Sequence, residues 1–159
     1  MSYLNLYEES LQDLNQIFGK DIQYALSTVD QNKPYVRIID GFFIDGFIYI
    51  TSYALANKVC HINSNQNVSL CYKLNQFQGV CSNIGHPLKE ENKDIRNQLK
   101  KVFYLFYEKH VDENDINTCI LKVNLSKALM FAKDKKYDVD FVKQSVMITN
   151  YIDDMVYLP

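Results

Sequence analysis

The sequence predicts a mainly β protein with flanking helices, a small antiparallel barrel on which the helices pack. Three observations predict it. Residues 23–51 fall into three runs rich in β-branched and aromatic side chains, divided by Asp30-Gln-Asn-Lys-Pro34 and by Asp45-Gly46. Such punctuation marks tight turns between antiparallel strands, and the resulting meander is the usual start of a barrel or sandwich. A helix-period pattern precedes the meander, and a longer one stands late in the chain with strand-like runs on both sides. At 159 residues and 47% apolar, the chain fits one domain able to bury a real core. We expect an N-terminal helix over 3–18, a barrel core over 23–132 and a C-terminal segment over 133–159.

Each element has its own signal. Tyr7, Leu11, Leu14 and Phe18 recur at helical spacing with Glu8, Glu9, Gln12 and Asp13 opposite, and Gly19 ends the helix. Strands follow over 24–29, 35–44 and 47–51. A short helix over 54–63 carries Leu55, Val59 and Ile62 on one face, with Ser52 placed to cap it. Residues 68–74 and 77–85 read as two more strands. Residues 90–110 read as one helix, striped by Ile95, Leu99, Val102, Phe103 and Phe106. Residues 119–132 alternate as a strand, and the tail is strand-like over 146–149 and 155–158.

Composition excludes several function classes. With 17 basic and 19 acidic residues and a net charge of −2, no global field attracts a polyanion, so nucleic acid is not the expected partner. No apolar run reaches a membrane-spanning length, and the N-terminus lacks the basic and apolar regions of a secretory signal. A soluble, cytoplasmic protein is expected. Cys60, Cys71, Cys81 and Cys119 show no C-x-x-C pair and read as small hydrophobes or idle thiols. His61, His86 and His110 have no partner at metal-ligand spacing, so no metal site is expected. Nucleophile-elbow, zincin, P-loop and dinucleotide-loop motifs are all missing from a chain with five glycines. Asp153 and Asp154 adjoin, but neighbouring strand residues face opposite sides, so they read as a solvated turn.

One stretch carries chemistry. Thr51-Ser-Tyr-Ala-Leu-Ala-Asn-Lys58 runs from a strand into a helix start, behind a strand that contains Arg37. Such a junction offers free backbone N–H groups and the positive end of a helix dipole, a natural anion seat. Thr51 and Ser52 add hydroxyl groups. Lys58 sits where a cation is disfavoured unless an anion is present. On residue types alone the other reading stands: Lys58 is merely exposed and Arg37 pairs with Asp40 or a Glu.

Around this stretch the sequence resembles the pyridoxamine 5′-phosphate oxidase-like, FMN-binding split-barrel family. Residues 25–39, A-L-S-T-V-D-Q-N-K-P-Y-V-R-I-I, are similar to its opening hairpin, with T-x-D, a turn of G-x-P type and h-V-R-x-x. Residues 45–52, D-G-F-I-Y-I-T-S, resemble D-G-x-h-Y-F-x-T-S. Residues 57–70, N-K-V-C-H-I-N-S-N-Q-N-V-S-L, resemble x-K-x-x-x-I-x-x-N-P-x-V-x-L. The pieces stay in register over residues 23–72. Asn32 stands where Gly is usual, and the common Pro after Asn65 is absent, the chain reading Gln66-Asn67 there.

The resemblance implies a six-stranded antiparallel split barrel that binds FMN between the two subunits of a homodimer. Arg37 and Lys58 would contact the phosphate, and Thr51 and Ser52 would hold phosphate or ribityl oxygens. Asn57 takes the place of a second polar or basic contact. Backbone at Ile38, Ile39 and Asp40 would line the isoalloxazine, with Gln78 and Ser82 reaching the flavin from the same or the partner chain. Tyr24, Tyr35, Tyr49 and Tyr72 read as core or as a flavin wall. The Trp- and Arg-containing segment that closes over pyridoxal phosphate in the true oxidases has no counterpart, since this chain has no Trp. The implied kinship is therefore with nitroimidazole-reductase-like and general-stress-protein-like members, an oxidoreductase passing electrons from reduced flavin to a small acceptor. A reading of another class is a carrier or sensor that binds flavin, or haem through His61 or His86, without turnover. A third is a barrel whose site has degenerated.

Overall fold

Two tight turns organise the first half of the chain. Gln31 and Asn32 (φ 48° and 61°) and Asp45 and Gly46 (φ 50° and 84°) place consecutive residues in the left-handed region. That is the geometry of primed turns, whose twist matches antiparallel strands. Asn, Asp and Gly accept it readily, so Asn32 serves where Gly would. The turns join β1 (Ile22–Asp30), β2 (Lys33–Ile44) and β3 (Phe47–Tyr53). The structure, a computed structural model, describes residues 3–152. Asp153, Asp154 and the strand-like patch over 155–158 lie outside the described residues.

The remaining elements are α1 (Tyr3–Phe18) before the meander, then α2 (Asn57–Ser64), β4 (Asn67–Tyr72), β5 (Asn75–Gly85), α3 (Lys93–Val102), α4 (Tyr107–His110), β6 (Thr118–Ala132), β7 (Lys135–Asp140) and β8 (Ser145–Asn150). The sheet runs β3-β2-β1-β4-β5-β6-β7-β8, and a further β3–β6 pairing closes its first six strands into an antiparallel barrel. The expected six-stranded split barrel is present, extended by two strands.

β6 makes both closure and extension possible. Thr118 to Asn124 pair with β3, and Lys127 to Ala132 pair with β7 along the same edge, while β5 follows the other edge. At the handover the Leu125 N–H donates to the Gly46 carbonyl (3.0 Å), and the Phe141 N–H donates to the Ser126 carbonyl (2.9 Å). No stretch of that edge is left without partners, which is the condition for a long strand to stay in a closed sheet.

Strand alternation sorts the apolar side chains into two cores. Tyr24, Leu26, Phe43, Ile48, Ile50, Leu121 and Val123 fill the barrel with Leu14 and Phe18 of α1 and Val59 and Ile62 of α2. Phe42 and Ile120, from the outer wall, join Leu99, Phe103 and Tyr107 in a second cluster under α3 and α4.

Three expectations need correction. Residues 90–110 are not one helix but a 3₁₀ turn at Glu90–Asn92, then α3, a four-residue turn over 103–106, and α4. Phe103 leaves helical geometry (ψ 32°) with its ring edge-on to Phe42 at 6.0 Å, so packing overrides a pattern that contains no Gly or Pro. Residues 54–56 are outside α2, and Ser52 does not cap it: the strand runs on to Tyr53, and Ala56 holds the cap position without a side-chain bond. β7 was not expected, because only Tyr137 and Val139 point inward along its six residues.

Candidate anion-binding site

α2 lies against the barrel with Val59 and Ile62 buried, which turns Lys58 and His61, three residues apart, toward β1 and β2. Arg37 reaches the same place from β2. Its Nη1 donates to Thr28 Oγ1 of β1 at 2.7 Å and to the Leu26 carbonyl at 3.2 Å, with the Tyr35 carbonyl at 3.4 Å. Thr28 is fully buried, and its Oγ1 lies 3.0 Å from His61 Nδ1. The Tyr35 ring covers the imidazole, centroid to centroid 4.7 Å.

The electrostatics are unusual for a pair of cations. Burial lowers the pKa of both Arg37 and Lys58, and the nearby Arg37 guanidinium lowers Lys58 further. Among the described residues neither forms an ion pair. The alternative pairing of Arg37 with Asp40 is therefore not found; Asp40 instead acts on Asp21, whose pKa it helps to raise. Only Nη1 of Arg37 bonds to the described residues, so the Nε–Nη2 edge, which takes carboxylate or phosphate oxygens two at a time, remains. Ser52 Oγ is buried without a hydrogen-bond partner among the described residues, on the strand position opposite Cys119. Cys119, the cross-strand partner of Ser52, interacts electrostatically with Lys58. Burial raises the Cys119 thiol to about 11.

The other sequence candidates are spread more widely. Thr51 lies beside Ser52 but on the opposite face of β3, paired with Ile120 of the outer cluster. Asn57 is exposed at the start of α2. Ile38 is 63% exposed on the outer wall, the Ile39 side chain belongs to the barrel core, and Asp40 is half-buried. Gln78 is on the outer wall, in register with Ser69, Ser27 and Val36 across β4, β1 and β2. Three strand spacings of about 4.8 Å separate it from β2, so it does not join Arg37. Ser82 faces outward beside Lys122. Tyr24 is fully buried and Tyr49 stacks on Phe42, so both are core rather than wall.

Both ring nitrogens of His86 are used: the Leu88 N–H donates to Nδ1 and Nε2 meets the Asp115 carbonyl, each at 3.1 Å. That removes it as a haem ligand. A cleft of about 710 Å³ lies elsewhere, between α1, β2 and α3, lined by Lys20, Asp21, Phe42, Val102 and Leu105 among others. Thr28 escaped the site prediction, because a Thr inside a strand carries no signal in sequence, and His61 was singled out only as a haem ligand, not as a partner of Arg37.

No protein-family model matches the chain, and no curated protein is similar to it. Solved structures are. General stress protein 26 from Bacillus anthracis is 24% identical over 79% of this chain and 92% of its own, with a TM-score of 0.53. A NimC/NimA family protein from Clostridium acetobutylicum is 17% identical over 91% and 97%, with a TM-score of 0.54. An FAD-binding protein from Mesorhizobium loti is 12% identical over 74% and 90%, with a TM-score of 0.58. These are split-barrel proteins, and the chain shares their fold.

Proposed function

We propose, with the split barrel as premise, that this protein is a flavin-dependent oxidoreductase that seats the phosphate of FMN on Arg37 and Lys58. The observation that carries the reading is the pair itself: two partly buried cations that repel each other, neither of them in an ion pair among the described residues. Holding them together costs Coulomb repulsion and desolvation, and attraction to a phosphate dianion offsets both. The Nε–Nη2 edge of Arg37 matches two phosphate oxygens, Lys58 adds a point charge, and Ser52 Oγ is a further donor. Thr51, on the other face of β3, is the weaker contact.

Bound FMN would supply the hydride and electron chemistry, which is why this chain need not carry an acid–base pair. The chain's own part is to bind and orient. The backbone of β2 from Ile38 to Asp40 would lie under the ring, and exposed Val36 and Ile38 leave an apolar wall there. That wall is open in one chain, in keeping with a cofactor held between two copies. We assign Gln78 and Ser82 to such an interface rather than to the phosphate. The FAD-binding protein that shares the fold supports a flavin as the ligand class.

The test is a fluorescence titration of the purified protein with FMN, FAD and riboflavin, followed by light scattering of the complex. Binding with FMN ahead of riboflavin, on a dimer, is the expected result. A protein that takes none of the three overturns the flavin reading, and a monomeric complex overturns the shared site.

A further inference from the structure

Resting on the phosphate reading, we infer that Thr28 and His61 are positioning residues, a hydroxyl–imidazole pair that aims Arg37 and fixes its separation from Lys58. A buried Thr in a barrel interior could be Val at no loss of packing, unless its hydroxyl is used. Here both halves of the hydroxyl are used. Its oxygen accepts from Arg37 Nη1 at 2.7 Å, and its proton is free to be donated to His61 Nδ1 at 3.0 Å in the tautomer that carries its hydrogen on Nε2. The partners come from different elements, Arg37 from β2 and His61 from α2. One oxygen therefore ties together the two segments that carry the cations.

The choice of Nη1 matters. With Nη1 held by Thr28 and the Leu26 carbonyl, the guanidinium cannot swing, and the edge left over is Nε–Nη2. The same edge in Arg96 grips both oxygens of Glu113, at 2.6 and 2.8 Å. On the helix side, His61 is bracketed between Thr28 and the Tyr35 ring. Lys58, one turn earlier on the same face, moves only if that bracket moves. Pre-orientation of this kind lowers the ordering cost of binding and is specific to the phosphate end of a ligand.

Comparing FMN with riboflavin isolates that end, since the two differ only by the phosphate. Affinities for both are measured by fluorescence titration on wild type, Thr28→Val, Thr28→Ser, His61→Leu and His61→Asn. Thr28→Val is expected to narrow the preference for FMN about tenfold, the size of one charged hydrogen bond, while riboflavin affinity stays put. Thr28→Ser restores the hydroxyl and the preference. His61→Leu narrows the preference, and His61→Asn, which replaces Nδ1 with an amide, recovers most of it. If Thr28→Val does not fold, the His61 pair makes the same comparison. Equal losses for FMN and riboflavin, or an unchanged preference, overturn the inference. A wild type that does not distinguish the two flavins overturns the phosphate seat itself, and an unaltered Arg37→Met variant identifies that case.

Discussion

Arg37 and Arg96 show two ways in which the protein treats the same side chain. Arg96, on α3, meets the Glu113 carboxylate along its Nε–Nη2 edge, and Tyr107 donates a third bond to the same carboxylate (2.9 Å). The interaction raises the Arg96 pKa and lowers that of Glu113. Arg37 is turned the other way. Its Nη1 is tied to neutral oxygens, its Nε–Nη2 edge is not, its neighbour is another cation, and burial lowers its pKa. The first arrangement is complete within one chain and holds the 111–117 loop to α3. The second has no such partner among the described residues, and in the function proposed above an anion from outside completes it. A charged group whose local electrostatics are unfavourable is a better pointer to a binding site than one well paired.

The comparison can be broken at several points. Arg37→Met should have the largest effect, weakening FMN binding by about 2–3 kcal/mol, the worth of charge-assisted hydrogen bonds, with the thermal midpoint unchanged or raised. Isothermal calorimetry and a melting curve on one preparation check both halves. Lys58→Ala should cost FMN binding about 1–2 kcal/mol by the same reasoning, and unchanged affinity would remove Lys58 from the site.

Glu113→Gln should do the opposite: no effect on FMN, and a loss of about 1–1.5 kcal/mol in stability by urea unfolding. Because Glu113 is depressed in the folded state, its contribution is present above the ordinary carboxylate value and is lost as pH falls through the folded value. The gap between wild type and variant should therefore be full at pH 7 and close in acid. A gap that is independent of pH would mean that shape, not charge, holds the loop.

The smallest effect is expected at Asp21, which partial burial and the Asp40 carboxyl push up to about 6. A raised carboxyl stabilises the fold when protonated, and that contribution disappears as pH rises through about 6. Asp21→Asn should therefore raise the melting midpoint at pH 8 and change little at pH 4. Asp21 is exposed, so the gain should stay under ~1 kcal/mol after solvent screening.

What was legible in the sequence follows the same division between local and assembled features. The meander was readable because its turns are local: Asn32, Asp45 and Gly46 state their own backbone conformation. α1 was readable from its stripe. The break at Phe103–Phe106 was not, since no breaker residue marks it and the cause is Phe42, a residue on a strand far away in sequence. β7 stayed hidden because an extension packed on one edge needs few apolar residues. At the site, charge made Arg37 and Lys58 visible, and the resemblance put them together. Ser52 was assigned a capping role because strand β3 outlasts its apolar alternation by two residues. Thr28 was invisible for a deeper reason: an orienting hydroxyl in a strand looks like any β-branched residue.

The long β6 strand has a consequence for biosynthesis. Its first half must meet β3, made more than sixty residues earlier, before the cylinder exists. Until the ribosome has released that segment, β3 and β5 each present an unpaired edge to solvent or to a neighbouring nascent chain. Pairings so distant in sequence form slowly. The stage at which this protein most needs protection from aggregation is therefore late in its synthesis, when five barrel strands are out and the sixth is not.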